Sequence, residues 1–461
     1  MKKTALLVLA AGRGTRMRSE LPKVLHQAGG RTMLASVLAA ARAAGFEPGA
    51  IGVVAGYGAD AIRAAVAPLG VAVTLQEPQL GTGHAVMAAQ PWWRAYERLI
   101  VVHGDMPLLS AATVRGLAAA LGGDVAAVLA TASPVEPRAY GRIIREGNDV
   151  VAIVEERQAT PAQLALRELN AGFYGFQTAA LAPALAALGT ANPHGEYYLT
   201  DTIAILARQG KRVTAFALAD ADECLGVNDR AELARLDQSL RRRKAESLLQ
   251  SGVTIQLPDT VVIDPEVEVG PESVIEAGVQ LLGATRLGRG CQVRAYSVLT
   301  DCEIGDQVLI RQHCVMERAR VAAGALLGPF TRLREGADIG AGAHIGNFVE
   351  VKKTQVGAGS KANHLAYLGD ARIGSGANIG AGTITCNYDG VDKHPTTIGD
   401  GAFVGSNATL VAPIVIGPGA YIGAGSVITE NVPEDALAVG RGRQANKAGW
   451  ARRRKKRTPL D

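Results

Sequence analysis

The chain has 461 residues, and its 48 Lys and Arg against 43 Asp and Glu leave a formal net charge of +5. That length exceeds one compact core, so two or three domains are expected; the charge is too mild to require a nucleic-acid partner, and no run is long and apolar enough to span a membrane. Five cysteines, Cys224, Cys291, Cys302, Cys314 and Cys386, show no CxxC pair and no metal-type cluster, which argues against a disulfide framework and for a reducing cytoplasm.

The opening MKKTALLVLAAG has the lysines and apolar run of a short secretion signal. The run breaks into the charged loop Gly12-Arg13-Gly14-Thr15-Arg16, so a buried first strand is the better reading. Strand-like runs at 5–9, 51–54, 99–102 and 125–131 alternate with helical runs at 34–44 and 59–67. The alternation predicts an α/β domain over residues 1–229, with a mostly parallel sheet and ligands beyond the carboxyl ends of its strands.

The loop VLAAGRGTRM after the first strand lets the backbone approach a phosphate at Gly12 and Gly14, with Arg16 and Lys23 adding cationic charge at the same end. Such groups do the main work of phosphoryl and nucleotidyl transfer. Met17 stands where a dinucleotide-binding loop needs its third Gly, and there is no GK[ST]. Asp105 follows an apolar strand, a place for a turn residue or for an oxygen ligand to Mg²⁺, and Asn228 suits a helix cap. Residues 229–250, with Leu233, Leu236, Leu240 and Leu248 on roughly one face, read as a linker helix spanning 230–252.

From Val253 an aliphatic residue returns every six positions: Ile263, Val269, Ile275, Leu281, Leu287 and Val293, then Val321 to Val351, then Ile398 to Ile428. This period is neither helical nor simple strand alternation; it predicts a parallel β-helix over 253–445, with short strands, small corner residues and three flat faces of eighteen residues per coil. The period slips by one at Val293/Val298 and near Val351/Val356, and residues 386–396 break it as a loop. Residues 446–461 form a basic tail. Within the repeat, Arg334 and Lys352 take positions that are Gly in neighbouring coils, and His364, Tyr367, Asn378, Asn387 and Tyr388 lie nearby. The cations suit a sugar phosphate, the His a general base, and corner N–H groups a thioester oxyanion.

The run LAAGRGTRM…LPK, followed in order by QLGTGHA, HGDMPL, YGRI, IVEE, LNAG, HGEYYLTD and GVND, resembles the sugar-1-phosphate nucleotidylyltransferases. With GNFVEVKK, HLAYLGDARIG and NIGAGTITCNYDG, the chain from residue 5 to Trp450 resembles the bacterial bifunctional N-acetylglucosamine-1-phosphate uridylyltransferases/glucosamine-1-phosphate N-acetyltransferases. That resemblance implies a Rossmann-like α/β nucleotidyltransferase domain and a left-handed β-helix. It also implies two reactions, acetylation of glucosamine-1-phosphate by acetyl-CoA and then UMP transfer from UTP, supplying UDP-N-acetylglucosamine for cell-wall and lipopolysaccharide precursors.

By the same resemblance, Leu9, Ala10, Ala11, Gly12, Lys23, Gln76, Gly81 and Thr82 bind the nucleotide, the last two at the uracil. Gly141, Glu155, Asn170 and Asn228 complete the uridylyltransferase site, Asp105 and Asn228 hold Mg²⁺, and Arg16 and Lys23 act on the phosphates. His84 and His103 are left as structural. In the second half, His364 is the base, with Glu350 orienting it. Arg334, Lys352, Tyr367, Asn378 and Lys393 hold the sugar phosphate; Ala381, Asn387, Tyr388, Ser406, Ala424 and Arg441 bind acetyl-CoA. A homotrimer, a cytoplasmic location and no membrane or nucleic-acid partner are implied. Ala171 replaces an expected Thr. The alternatives are a single-activity nucleotidylyltransferase with a structural β-helix, and a non-catalytic protein combining the same domain types.

Overall fold

A computed structural model describes residues 3–133, 140–192 and 194–455. The chain divides into two compact units, Met1–Leu240 and Arg241–Asp461. The first unit is built on a mixed sheet in the order Arg212–Ala217, Val125–Ala132, Leu169–Gln177, Arg98–His103, Thr4–Ala10, Ile51–Ala55, Ala72–Leu75. The run that resembles a secretion signal is an interior strand of this sheet, buried at every position and parallel to both neighbours. Period-two alternation sends Leu6, Val8 and Ala10 to one core and Ala5, Leu7 and Leu9 to the other, so helices cover both faces.

The expected strands and helices form, each within a residue or so of its predicted bounds. The strand Leu169–Gln177 is the departure from a parallel sheet: it runs antiparallel to both of its main neighbours. Its register shifts between Asn170 and Tyr174, an irregularity that places Asn170 at the rim of the sheet. A hairpin, Arg142–Glu146 with Asp149–Val154, attaches at Leu169.

The helix Arg230–Gln250 contributes to both units. Its first half packs Leu236 against Met17 and Met33, and Asp237 accepts from the Gly29 N–H at 2.7 Å. Its second half buries Ala245 and Leu248 in the core of the second unit, where Lys244 donates to the carbonyls of Pro265 and Val267 at 3.0 and 2.7 Å.

The second unit is the left-handed parallel β-helix, with sheets of 11, 10 and 9 strands as its three faces. The chain passes in turn through face one (from Thr254–Ile255), face two (from Val262–Ile263) and face three (from Glu268–Val269). Aliphatic residues stack inward in columns such as Ile263, Leu281, Leu299, Met316, Leu333, Val351 and Leu368. Each coil buries only a few side chains, so stability comes from repetition between neighbours.

The position of one slip is corrected. Leu299 points inward and Val298 outward, so the step from Val293 remains six residues. The five-residue steps are Leu299 to Ile304, Met316 to Val321, Val351 to Val356 and Leu368 to Ile373, all at the corner between faces two and three. Each shortened corner holds one left-handed residue: Asp301, Arg318, Lys353 and Asp370, at φ 52, 44, 46 and 48°. The left-handed conformation turns the chain in one residue fewer, at some steric cost for a residue with a Cβ. The loop expected over 386–396 leaves from this same corner, between Ile384–Cys386 and Thr396–Ile398.

Candidate active sites

In the first unit the carboxyl ends of the strands open into two adjoining cavities of about 480 and 550 Å³, which share Thr82, His103 and Glu196. The smaller is lined by Leu9, Ala10, Ala11, Gly12, Lys23, Gln76, Gly81, Thr82 and Asp105, bringing together most of the residues assigned to the nucleotide. The loop after the first strand turns through Gly14 at φ 60°, where a Cβ would lie 2.7 Å from Lys23 Cβ. A side chain at residue 14 would therefore displace the lysine as well as strain the turn.

Lys23 forms an ion pair with Asp105 inside the cavity. Burial opposes charge on Asp105, but the Lys23 ammonium and His103 outweigh it and hold the carboxyl below its ordinary range. Arg16 and Asn228 do not line either cavity; Arg16 Nη2 donates to Asn228 Oδ1 at 2.8 Å. The Val227 N–H donates to the Asp105 carbonyl at 3.1 Å, so Asn228 lies beside Asp105 in the backbone trace.

Asp105 and Asn228 thus offer an ionised carboxylate and an amide oxygen, the hard donors that a magnesium ion takes. Among the described residues no group of three or more His, Cys, Asp or Glu could hold an ion by itself. The pair fits a metal whose remaining ligands are phosphate oxygens and water, the usual pattern for magnesium.

The larger cavity contains Gly141, Glu155 and Asn170, together with Tyr140, Tyr174, Tyr198 and Thr200, which sequence reading did not single out. Asn170 Nδ2 donates to the Tyr174 hydroxyl at 2.7 Å, and Asn170 Oδ1 accepts from the Gly172 N–H at 3.1 Å. Burial, then Asp201, push the Glu155 carboxyl above its ordinary range. Three carboxylates in the wall, Glu155, Glu156 and Glu196, against the single guanidinium of Arg157 disfavour a second phosphate cluster and suit sugar hydroxyls. Ala171, the departure from the expected Thr, is fully buried in the sheet and contributes to the core.

In the second unit His364 ends the strand Lys361–His364 at the corner between faces one and two. Its Nδ1 lies 2.9 Å from Asn347 Oδ1, and the two residues are direct register partners. If Nδ1 carries the proton, Nε2 is the available base. This corrects the role given to Glu350, whose carboxylate instead accepts from Arg334 Nη1 at 2.9 Å. The signal for Asn347 was its spacing, one seventeen-residue coil before His364.

The register continues that corner upward. Ile379 pairs with Val404 and Val404 with Ile422, which stacks Ala381, Ser406 and Ala424 in one column above His364. Arg441 closes it by donating to the Ala424 carbonyl. The base and four of the residues assigned to acetyl-CoA therefore share one corner. Gly346, just before Asn347, is required by crowding: a Cβ there would lie 2.0 Å from the Asn363 carbonyl oxygen.

The cationic cluster lies elsewhere, along face two toward its corner with face three. Glu350 pairs in register with Tyr367, and Lys352 with Gly369. Tyr367 leans over Gly369, where a Cβ would meet its hydroxyl at 2.5 Å. Hydrogen bonding to Lys352 and the charge of that neighbour push the Lys393 ammonium below its ordinary range, so the protein brings two cations together. Asn378 is on face one, beside Lys361 and Phe403.

The loop that breaks the repeat is a small ordered hairpin. Asn387 is buried and donates to Asp370, a partner sequence reading missed; Tyr388 bridges Lys393 and is exposed. Asp389 accepts from the N–H groups of Asp392 and Val391 at 2.7 and 2.8 Å and pairs with His394 Nε2 at 2.7 Å. These contacts, the Asp392 N–H first, hold the Asp389 carboxyl well below its usual range. Thr385 replaces an inward aliphatic residue at the loop base, accepting from the Gly369 N–H at 2.8 Å.

Residues 6–255 match the MobA-like NTP transferase domain, and residues 395–430 match the bacterial transferase hexapeptide family, described as six repeats. Bifunctional protein GlmU of Koribacter versatilis is 50% identical over 459 residues, covering 98% of each chain. Bifunctional protein GlmU of Solibacter usitatus is 48% identical over 455 residues, covering 98% of this chain and 97% of that one. The protein of the same name from Pelobacter propionicus is 44% identical over 462 residues, covering 99% of this chain and all, 100%, of that one. Likeness of this degree runs the length of both units, and the chain belongs to the GlmU family of bifunctional proteins.

Proposed function

We propose that the chain makes UDP-N-acetylglucosamine in two steps on its two units, as a precursor for cell-wall and lipopolysaccharide synthesis. On the β-helix, His364 Nε2 takes a proton from the amine of glucosamine-1-phosphate. The amine attacks the acetyl-CoA thioester directly, the C–S bond breaks and the CoA thiolate leaves. Brought together between neighbouring copies of the chain, Arg334, Lys352 and Lys393 hold the phosphate with Tyr367 and Asn378, while the column Ala381, Ser406, Ala424 and Arg441, with Asn387 and Tyr388, receives the coenzyme. Asn347 fixes the tautomer of the base.

In the first unit, a phosphate oxygen of N-acetylglucosamine-1-phosphate attacks the α-phosphorus of UTP, and pyrophosphate leaves. Lys23 and Arg16 neutralise charge that builds on the phosphates. The sugar occupies the larger cavity with Gly141, Glu155 and Asn170, and the nucleotide the smaller one. A magnesium ion held by Asp105 and Asn228 would add charge neutralisation on the phosphate oxygens. With those two oxygens on a metal, Lys23 and Arg16 would be left to face the phosphates.

The observation that carries the reading is the two-part cleft, in which a cavity containing the Lys23–Asp105 pair adjoins a polar cavity of sugar size. A homotrimer is part of the proposal. Tyr296, His313, Phe330 and Phe348 stack with ring centroids 5.5, 5.0 and 5.1 Å apart, on the corner that carries His364. Tyr296, Phe330, Phe348 and then Leu365 are 60%, 46%, 55% and 62% exposed in the single chain. An apolar ladder of this kind calls for a covering partner. Face three differs, carrying the ion pairs Glu268–Arg286 and Glu303–Arg320 of a solvated surface. Free cysteines and substrates of this kind support a cytoplasmic location. Glucosamine-1-phosphate, acetyl-CoA and UTP supplied together should yield a sugar nucleotide with the mass of UDP-N-acetylglucosamine. Omitting acetyl-CoA should abolish it, whereas N-acetylglucosamine-1-phosphate with UTP alone should restore it; no pyrophosphate release in that last case sinks the first-unit assignment.

A further inference from the structure

The wall of the nucleotide cavity has two chemistries. Lys23 and Asp105 are charged, whereas Gln76, Gly81 and Ala85 present uncharged groups of the kind that read a base. Gln76 follows the strand Ala72–Leu75, is only 2% exposed, and is anchored by its N–H to the Ala55 carbonyl at 2.8 Å. Its side-chain nitrogen donates to the Gly81 carbonyl at 2.9 Å and lies 3.1 Å from His84 Nδ1.

A carboxamide nitrogen has two hydrogens, and its oxygen has none. With Gly81 and His84 as acceptors, both Gln76 hydrogens are used inside the protein. His84 accepts at Nδ1 as the neutral tautomer that carries its proton on Nε2. The Gln76 oxygen accepts no hydrogen bond from the described residues and is the part of the amide left for a ligand. His84 is itself held: its ring stacks on Tyr197 at 6.2 Å between centroids, and the Gly83 N–H donates to the Tyr197 carbonyl at 2.8 Å.

We infer that His84 is a positioning residue that sets base selectivity, by consuming the second Gln76 hydrogen so that the amide offers a base only an acceptor. The inference rests on the reading of this cavity as the nucleotide site. Uracil presents an N3–H donor, which a lone acceptor satisfies. Cytosine presents an N3 acceptor there, and acceptor against acceptor leaves two buried lone pairs opposed. Thymine has the uracil edge and is not separated by this device.

The test is the ratio of kcat/KM for UTP to that for CTP, with N-acetylglucosamine-1-phosphate as acceptor, in wild type, His84→Phe, His84→Ala and His84→Asn. His84→Phe keeps a ring against Tyr197 but accepts nothing, and His84→Ala removes the group altogether. Each frees one Gln76 N–H for the base, and the UTP:CTP ratio should fall about tenfold or more. His84→Asn retains a side-chain oxygen acceptor and should keep more of the preference than either. A purely structural role lowers both rates together and leaves the ratio unchanged, which overturns the inference. A wild type that uses UTP and CTP equally also overturns it. A wild type that uses no nucleotide at all defeats the cavity assignment instead, so the two failures are distinguishable.

Discussion

The two units solve the problem of making a site in opposite ways. The α/β unit is concave where its strands end: the cavities of about 480 and 550 Å³ gather residues from many separate segments of one chain. The β-helix is a prism, and its groups lie on outward corners and faces. Its cavities of about 400 and 670 Å³ are lined by residues such as Gly336 and Lys353, or Arg286 and Asp338, and neither contains His364. His364 and the column Ala381, Ser406 and Ala424 occupy one corner, whereas Arg334 and Lys352 lie across face two. A fold that supplies concavity can complete a site alone; a solenoid supplies rows of side chains and needs a second surface to enclose them.

The largest expected effects separate the two units. His364→Ala should lower acetyl transfer by about 10²- to 10⁴-fold, the usual worth of a general base, and leave uridylyl transfer unchanged when each is assayed alone. Lys23→Ala should do the reverse, lowering pyrophosphate release about 10²- to 10³-fold with acetyl transfer intact. Loss of both activities in either variant would break the comparison. Asn347→Ala sharpens it: acetyl-transfer kcat should fall about tenfold, with a displaced pH profile, because the His364 tautomer is no longer fixed.

A smaller effect concerns Glu155. Burial and Asp201 raise its carboxyl, so the fold binds that proton more tightly than the unfolded chain does. Ionisation above the folded value costs stability, and the cost is absent below the unfolded value. Glu155→Gln should therefore raise the melting temperature by about 2 °C at pH 8, with the gain fading toward pH 4, while uridylyl transfer weakens from the lost sugar contact. A stability gain that is the same at both pH values would assign the effect to something other than this charge.

Much of this contrast is written in the chain. Period-six patterning is a direct imprint of inward stacking, so the β-helix and its broken coil at 386–396 are legible residue by residue. The slip at Leu299 was misplaced because Val298 and Leu299 are both aliphatic, and apolarity alone does not say which points inward. The antiparallel strand Leu169–Gln177 escaped because its pairing is long-range and its apolar run serves either direction. Gly12, Lys23 and Asp105 could be read from motifs. Contacts between side chains far apart in sequence could not: Asn347 on His364, Asp370 on Asn387, and Arg334 on Glu350 follow from coil stacking, which sets neighbours seventeen or so residues apart.

On the proposed reading the first site is complete in one chain and the second requires assembly. Charge placed in the exposed ladder, as Phe330→Glu with Phe348→Glu, tests it most directly, with sedimentation and both activities measured on the same sample. The expected result is a monomer that retains uridylyl transfer and has lost acetyl transfer. A monomer with full acetyl transfer would contradict the account.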